Sequence, residues 1–262
     1  MSDGTVQLTI EDRTAWVLFD RPQARNAMTW TMYQQLAQIC AQLASDPSIR
    51  VAIFRGAGGQ AFVAGTDIAQ FLEFGRTGDA GQDGIAYEQQ IDECLRGFAS
   101  LPMPTIAVID GWAVGGGLAL ATGCDFRIGT PSARFGVPIA RTLGNCLSVA
   151  NLARLQNAFG NQRVRRMLLL SEILDADEAL GCGYLHQIVA PEAIEQAARD
   201  LAARLAALAP ITQRVSKEGL RRIAGANLPD DQDLIRLTYG SADFREGVSA
   251  FVAKRTPDWQ GR

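Results

Sequence analysis

The sequence predicts an α/β protein, a spiral of strand and helix units that ends in a helical segment. Three observations carry that expectation. Two β-branched apolar runs, Val51 to Phe54 and Thr105 to Ile109, are each followed by a glycine-containing turn and then by a stretch able to form a helix. Beyond Ile188-Val189 the apolar spacing is helical throughout. The chain has 262 residues, 47% of them hydrophobic, enough to bury one large core.

Taken in order, Val6 to Ile10 and Ala15 to Phe19 are short apolar runs joined by Glu-Asp-Arg-Thr and predict an antiparallel hairpin, closed by Arg21-Pro22. From Thr29 the residues Met32, Leu36, Ile39, Cys40 and Leu43 recur at three and four. This predicts an amphipathic helix with Thr29 as N-cap and Asp46-Pro47 as its stop. Gly75 to Gly84 is rich in glycine and polar residues and predicts a mobile loop, suited to a substrate lid or entrance flap. Pro191 to Leu208, Thr212 to Ala224, Asp231 to Tyr239 and Ala242 to Lys254 predict the C-terminal helices. No linker and no internal repeat divides the chain, so a core over residues 1–195 is expected to run directly into a helical segment over 196–262.

Composition narrows the partners. A net charge of -3 provides no electrostatic case for nucleic acid or an anionic membrane, and a small-molecule ligand is expected instead. Five widely spaced cysteines, without a C-x-x-C pair and with the single histidine His186, read as reduced thiols in a cytoplasmic protein rather than as a metal site. The N-terminal residues lack the pattern of a signal peptide, so the mature chain is expected to begin near Met1. The weakly charged stretch Leu101 to Cys124 contains Pro102, Pro104, Asp110 and three successive glycines, which argues against a membrane helix.

Two motifs carry chemistry. Phe62-Val-Ala-Gly-Thr-Asp-Ile68 places small residues after a strand, where main-chain N–H groups can face a ligand. In Gly111-Trp-Ala-Val-Gly-Gly-Gly-Leu118 a strand runs into a triple glycine that opens a helix, exposing unpaired N–H donors aligned with the helix dipole. Two such donors converging on one oxygen form an oxyanion hole able to stabilise a thioester enolate. A lone triple glycine reads better as close packing of helix on strand; the companion motifs reverse this in favour of the donor reading.

These motifs, together with Arg21-Pro-Gln-Ala-Arg-Asn-Ala-Met28 and Ser241-Ala-Asp-Phe-Arg-Glu-Gly-Val-Ser-Ala-Phe-Val-Ala-Lys-Arg255, resemble those of the crotonase (enoyl-CoA hydratase/isomerase) superfamily, in the same order and over nearly the whole chain. The resemblance implies a crotonase-like spiral of ββα units with a C-terminal helical segment that supports trimerisation, assembly as trimers or paired trimers, and an acyl-CoA thioester as substrate. Coenzyme A would enter with the substrate, with no separate cofactor and no metal. Carried over by position, Thr66 and Gly116 would supply the oxyanion N–H groups. Ala24, Arg25, Ala64, Asp67 and Ile68 would border the adenine and pantetheine, Gly115, Pro138 and Ile139 would also contact substrate, and Lys254 would sit near the nucleotide phosphates. Lys254 also reads as a solvated helix-end lysine, and Asp67 as a structural residue bonding loop amides.

The chain departs from the family where hydratases carry two glutamates, for those positions are Ala119 and Ile139. Hydration of an enoyl thioester then has no evident acid or base. Decarboxylation or carbon–carbon cleavage, in which bond loss itself generates the enolate, becomes the expected chemistry, and a catalytically silent acyl-CoA binder or assembly subunit is the alternative. The loop after Pro138 offers Asn145 to orient a carboxylate, carbonyl or water, whereas Cys146 reads as buried. Tyr239 stands where relatives carry an aromatic residue reaching a neighbouring subunit's acyl pocket, and its hydroxyl could donate a proton, with a packing role as the alternative. The acidic helix around Glu88, Asp92 and Glu93 follows the glycine loop and could swing a carboxylate toward the acyl chain, but it reads first as a solvated face.

Overall fold

The computed structural model describes residues 3–74, 76 and 78–261. The chain opens with β1 (Thr5–Glu11), β2 (Thr14–Asp20) and α1 (Trp30–Ser45), continues through β3 (Val51–Gly56), β4 (Ala61–Ala64) and α2 (Ala80–Ala99), then β5 (Thr105–Ile109), β6 (Trp112–Val114) and α3 (Gly116–Gly123). Next come β7 (Phe126–Gly129), β8 (Arg134–Gly136) and α4 (Ile139–Thr142), followed by α5 (Val149–Phe159), α6 (Asn161–Leu169), β9 (Ile173–Asp175), α7 (Ala176–Gly181) and β10 (Gln187–Ile188). The chain finishes with α8 (Ile194–Ala206), α9 (Pro210–Ala224), α10 (Gln232–Tyr239) and α11 (Ala242–Val252).

Three successive ββα units form the spiral expected from the sequence. The first strand of each unit (β3, β5, β7) joins a six-stranded sheet of order β1-β2-β3-β5-β7-β10, and the second (β4, β6, β8) joins a four-stranded sheet of order β4-β6-β8-β9. Each turn therefore adds one strand to both sheets. Pairing is parallel except between β1 and β2 and between β8 and β9.

The continuous apolar character of β3 and β5 has a direct cause. Ala52, Phe54, Ala107 and Ile109 face the main core, while Val51, Ile53, Ile106 and Val108 face a second cluster completed by Ile194, Ala198, Leu201 and Leu205 of α8. A sheet covered on both faces has no solvated side to alternate toward. Thr29 caps α1 by accepting from the Met32 N–H at 3.2 Å, as the spacing predicted. The β1–β2 connection is tighter than expected: Glu11 pairs with Thr14, leaving Asp12 and Arg13 as a two-residue turn with both φ positive.

The glycine-rich stretch is only partly a loop. Asp79 caps α2 by accepting from the Gln82 N–H, so Ala80 to Gly84 form its first turns; Gly75 and Thr77 lie outside the described residues. Its glycines serve packing: a Cβ on Gly84 would lie 2.3 Å from Cγ of Tyr239, so the absence of a side chain lets α10 rest directly on α2. The stretch 101–124 is β5, β6 and α3, and no helix among the described residues is long and apolar enough to cross a membrane.

Arg21-Pro22 opens a short turn held by Asn26, which is fully buried with φ +58. Its Oδ1 accepts from the Arg21 N–H at 2.9 Å and its Nδ2 donates to the carbonyls of Ala57 and Ala61 at 2.9 and 2.8 Å. Replacing Asn26 by Ala removes three hydrogen bonds and places a residue less suited to positive φ there. The expected destabilisation is about 3 kcal/mol, read as a lower urea midpoint at unchanged slope.

Candidate active site

Strands β4 and β6 lie side by side, with Ala64 opposite Val114. Both leave the sheet there, and two residues later come Thr66 and Gly116. Around Thr66 the chain is pinned to the Arg21–Met28 segment: the Met28 N–H donates to the Gly65 carbonyl at 2.9 Å and the Asp67 N–H to the Met28 carbonyl at 2.8 Å. Thr66 N–H itself has no acceptor among the described residues. Gly115 is the N-cap of α3 with φ +54, and its N–H donates to the Gly136 carbonyl at 3.0 Å. Gly116, the first helical residue, has an N–H with no intrahelical acceptor and none elsewhere among the described residues.

The three glycines thus have different reasons. Gly115 takes a left-handed φ, and Gly117 packs helix on strand, since a Cβ there would sit 1.8 Å from the Val63 carbonyl oxygen. A Cβ on Gly116 would lie 3.0 Å from the Tyr33 hydroxyl and 3.2 Å from Thr66 Oγ1, so the two loops are in contact. Behind them the Tyr33 hydroxyl bonds Thr66 Oγ1 at 2.9 Å, and the Tyr87 hydroxyl donates to the same oxygen at 3.2 Å.

A cavity of about 180 Å³ opens in front of these donors. Ala64, Thr66 and Ile68 line it from the first loop, Gly115 and Gly116 from the second, and Pro138, Ile139 and Asn145 from the third. Ala119 and Ile139 contribute no carboxylate, and Phe71, Ile91, Leu143 and Phe251 add to the apolar wall. A larger cleft of about 530 Å³, lined in part by Arg96, Arg154, Lys217 and Arg221, shares none of the residues of this cavity.

Other residues singled out in the sequence stand off the wall. Asp67 makes an ion pair with the nearly buried Arg21 at 2.8 Å, tying the Arg21–Met28 segment to the Thr66 loop. Arg25 is exposed, and its carbonyl accepts from the Ala64 N–H at 3.0 Å; Ala24 lies in the preceding turn. Lys254 is exposed just beyond α11 with φ +53, three residues after Phe251. Asn145 is half-buried, and its Oδ1 is a buried acceptor without a hydrogen-bond partner among the described residues, an arrangement costing roughly 1–3 kcal/mol until a ligand or water supplies a donor. Burial pushes the Cys146 thiol up to about 12, which keeps it protonated.

The reading of the acidic helix requires correction. Glu93 is solvated, but Glu88 is only 3% exposed and lines the cavity. Its Oε1 accepts from the Tyr239 hydroxyl at 2.6 Å. Burial raises the Glu88 carboxyl to about 7; the Tyr239 hydrogen bond opposes the rise and the nearby Asp92 adds to it. Tyr239 follows the packing alternative. Rather than reaching toward a neighbouring subunit, its ring is fully buried within its own chain against Phe71, Phe74, Tyr87 and Phe244. The sequence signal for Glu88 was present: Gly81, Gly84, Glu88, Ile91, Leu95 and Phe98 form one stripe at helical spacing, facing inward.

The sequence profile of the enoyl-CoA hydratase/isomerase family matches residues 9–262. The chain is 29% identical to the (E)-benzylidenesuccinyl-CoA hydratase of Thauera aromatica, over 98% of this chain and 99% of that one. It is 33% identical to the 1,2-epoxyphenylacetyl-CoA isomerase of Escherichia coli strain K12, over 97% of each. Methylmalonyl-CoA decarboxylase in complex with 2-nitronate-propionyl-CoA superposes with a TM-score of 0.88 at 25% identity, covering 98% of both chains. With a ββα spiral and a family match over almost its full length, the chain belongs to the enoyl-CoA hydratase/isomerase family of the crotonase superfamily.

Proposed function

We propose that this enzyme holds an acyl-CoA thioester carbonyl between the N–H groups of Thr66 and Gly116 and cleaves a carbon–carbon bond at Cα, decarboxylation foremost. The observation that carries this reading is the pairing of two unengaged N–H donors with a wall in which Ala119 and Ile139 stand where hydratase glutamates are expected. Hydration needs a base to activate water and an acid to complete the addition. Loss of carbon dioxide needs neither in its first step: the bond pair left behind becomes the enolate, and its oxygen is met by the two donors. The apolar side chains of Ala119 and Ile139 favour neutral carbon dioxide over the carboxylate from which it forms. Asn145 supplies an amide to orient that carboxylate beforehand. The likeness to methylmalonyl-CoA decarboxylase supports this reading.

Incubation with malonyl-type, enoyl-, β-hydroxyacyl- and β-ketoacyl-CoA thioesters, followed by mass spectrometry, is expected to show carbon dioxide loss from a malonyl-type thioester. Dominant hydration of an enoyl thioester would overturn the reading, and tight binding without product would establish a silent binder instead. In Gly116→Val the new side chain crowds Tyr33 and Thr66 and covers the donor, so kcat is expected to fall roughly 100-fold or more. Asn145→Ala is expected to raise KM for the carboxylated thioester while leaving the affinity of its decarboxylated product within about twofold, measured by calorimetry.

A further inference from the structure

An enolate formed in this cavity must be protonated at carbon, and the cavity wall holds few groups able to do so. Burial raises Tyr87 well above the ordinary range for a phenol and Cys146 to about 12, so neither yields a proton readily. Among the described residues that line the cavity, Glu88 is the remaining titratable side chain, nearly sealed from solvent and fixed in place by Tyr239.

We propose that Glu88 is the acid that delivers the proton to the enolate carbon, with Tyr239 as the positioning residue that holds its carboxyl group. The proposal rests on the enolate reading above and adds the step that completes it. Tyr239 donates to Oε1 and the Ser148 N–H also bonds the carboxyl group; in this assignment the proton sits on Oε2. When carbon dioxide has left, the Oε2–H bond breaks with its electron pair remaining on Glu88, and a C–H bond forms at Cα. The acyl-CoA product departs, and solvent returns a proton to Glu88. The sum is one proton consumed and one carbon dioxide released per turnover.

The surroundings suit an acid that is neutral when substrate arrives. Facing Glu88 are Tyr33 from α1, Tyr87 and Asp92 from α2, Cys146 and the Ser148 N–H from the third loop, and Tyr239 and Asp231 from α10 and the residue before it. The cations in this region act on Asp92: Arg154 of α5 lies 3.8 Å from it and Arg96 of α2 is also near, while Asp92 accepts from the Ser148 hydroxyl and the Asn151 amide. Burial and the neighbouring acids Asp92 and Asp231 raise the Glu88 carboxyl to about 7, while the Tyr239 and Ser148 hydrogen bonds restrain the rise. The acid form is the working form, so kcat is expected to be level below about pH 7 and to fall tenfold per pH unit above it.

The experiment uses methylmalonyl-CoA in D₂O, following carbon dioxide release and the deuterium label and configuration at Cα of the propionyl product, together with Cα exchange of added propionyl-CoA. The wild type is expected to release carbon dioxide, to place one deuteron with a single configuration, and to exchange one Cα hydrogen of propionyl-CoA. Glu88→Gln, close to isosteric, is expected to lower kcat by roughly 10²–10⁴, to lose the falling limb near pH 7 and to produce racemic label from solvent. Tyr239→Phe removes a bond that stabilises the anion, so its falling limb is expected to move to higher pH with configuration retained. Unchanged kcat, configuration and pH limb in Glu88→Gln would overturn the proposal while leaving the enolate reading standing. If no carbon dioxide is released but exchange proceeds and is lost in Glu88→Gln, decarboxylation fails and Glu88 stands; absence of both activities in the wild type overturns both.

Discussion

Two parallel strands, β4 and β6, are held in register with Ala64 opposite Val114, and each leaves the sheet at that pair. Because parallel strands run the same way, the chain emerges from both at the same edge, and residues at equal distances beyond the pair arrive side by side. Thr66 and Gly116 are fifty positions apart in sequence, yet their loops touch. What surrounds them maintains that convergence. Asn26 and the Arg21–Asp67 ion pair pin the first loop, while the Gly115–Gly136 bond and the Gly117–Val63 contact pin the second. Donors fixed in this way need no reorganisation when charge develops, the condition under which backbone N–H groups stabilise an oxyanion most effectively.

The same packing creates an environment in which a carboxyl group resists ionisation. Glu88 points inward because α2 carries it on the stripe that faces α10, and the two helices approach closely because Gly81 and Gly84 lack side chains. Burying an acid beside an aromatic cluster, with no cation in direct contact, favours the protonated form and makes the charged form costly. Such a cost is commonly tolerated where the group exchanges protons with a ligand. Tyr239 moderates it, since its hydroxyl can donate to either state of the carboxyl.

Much of the fold was legible in residue order. The hairpin, α1 with its cap, the strands of the large sheet and the C-terminal helices follow from periodicity and capping, which are local properties. Less legible were features whose meaning depends on a partner far along the chain. The stretch from Gly75 looked like an unpackable loop because glycine is a weak helix former; in α2 two of those glycines are contact points for α10, a use no local rule reveals. Glu88 read first as solvated, ahead of the alternative that its helix brings a carboxylate toward the acyl chain, because an acid is assigned to the outside unless its helix is seen from the inside. Tyr239 could be named as a proton donor from its type alone, but that it bonds Glu88 could not.

By itself, the sequence determined the family, the spiral of ββα units and the two loops that present N–H donors, because each is written in short motifs whose backbone demands are local. It also determined that Ala119 and Ile139 bring no carboxylate to the site. Only the tertiary structure decided that a different carboxylate, carried by a helix between the two loops in sequence, reaches the same cavity, where burial raises it to about 7. Position in sequence sets a side chain's chemistry, whereas its ionisation is set by everything packed around it, and that is assembled from α1, α2, α10 and the loop after α4 together.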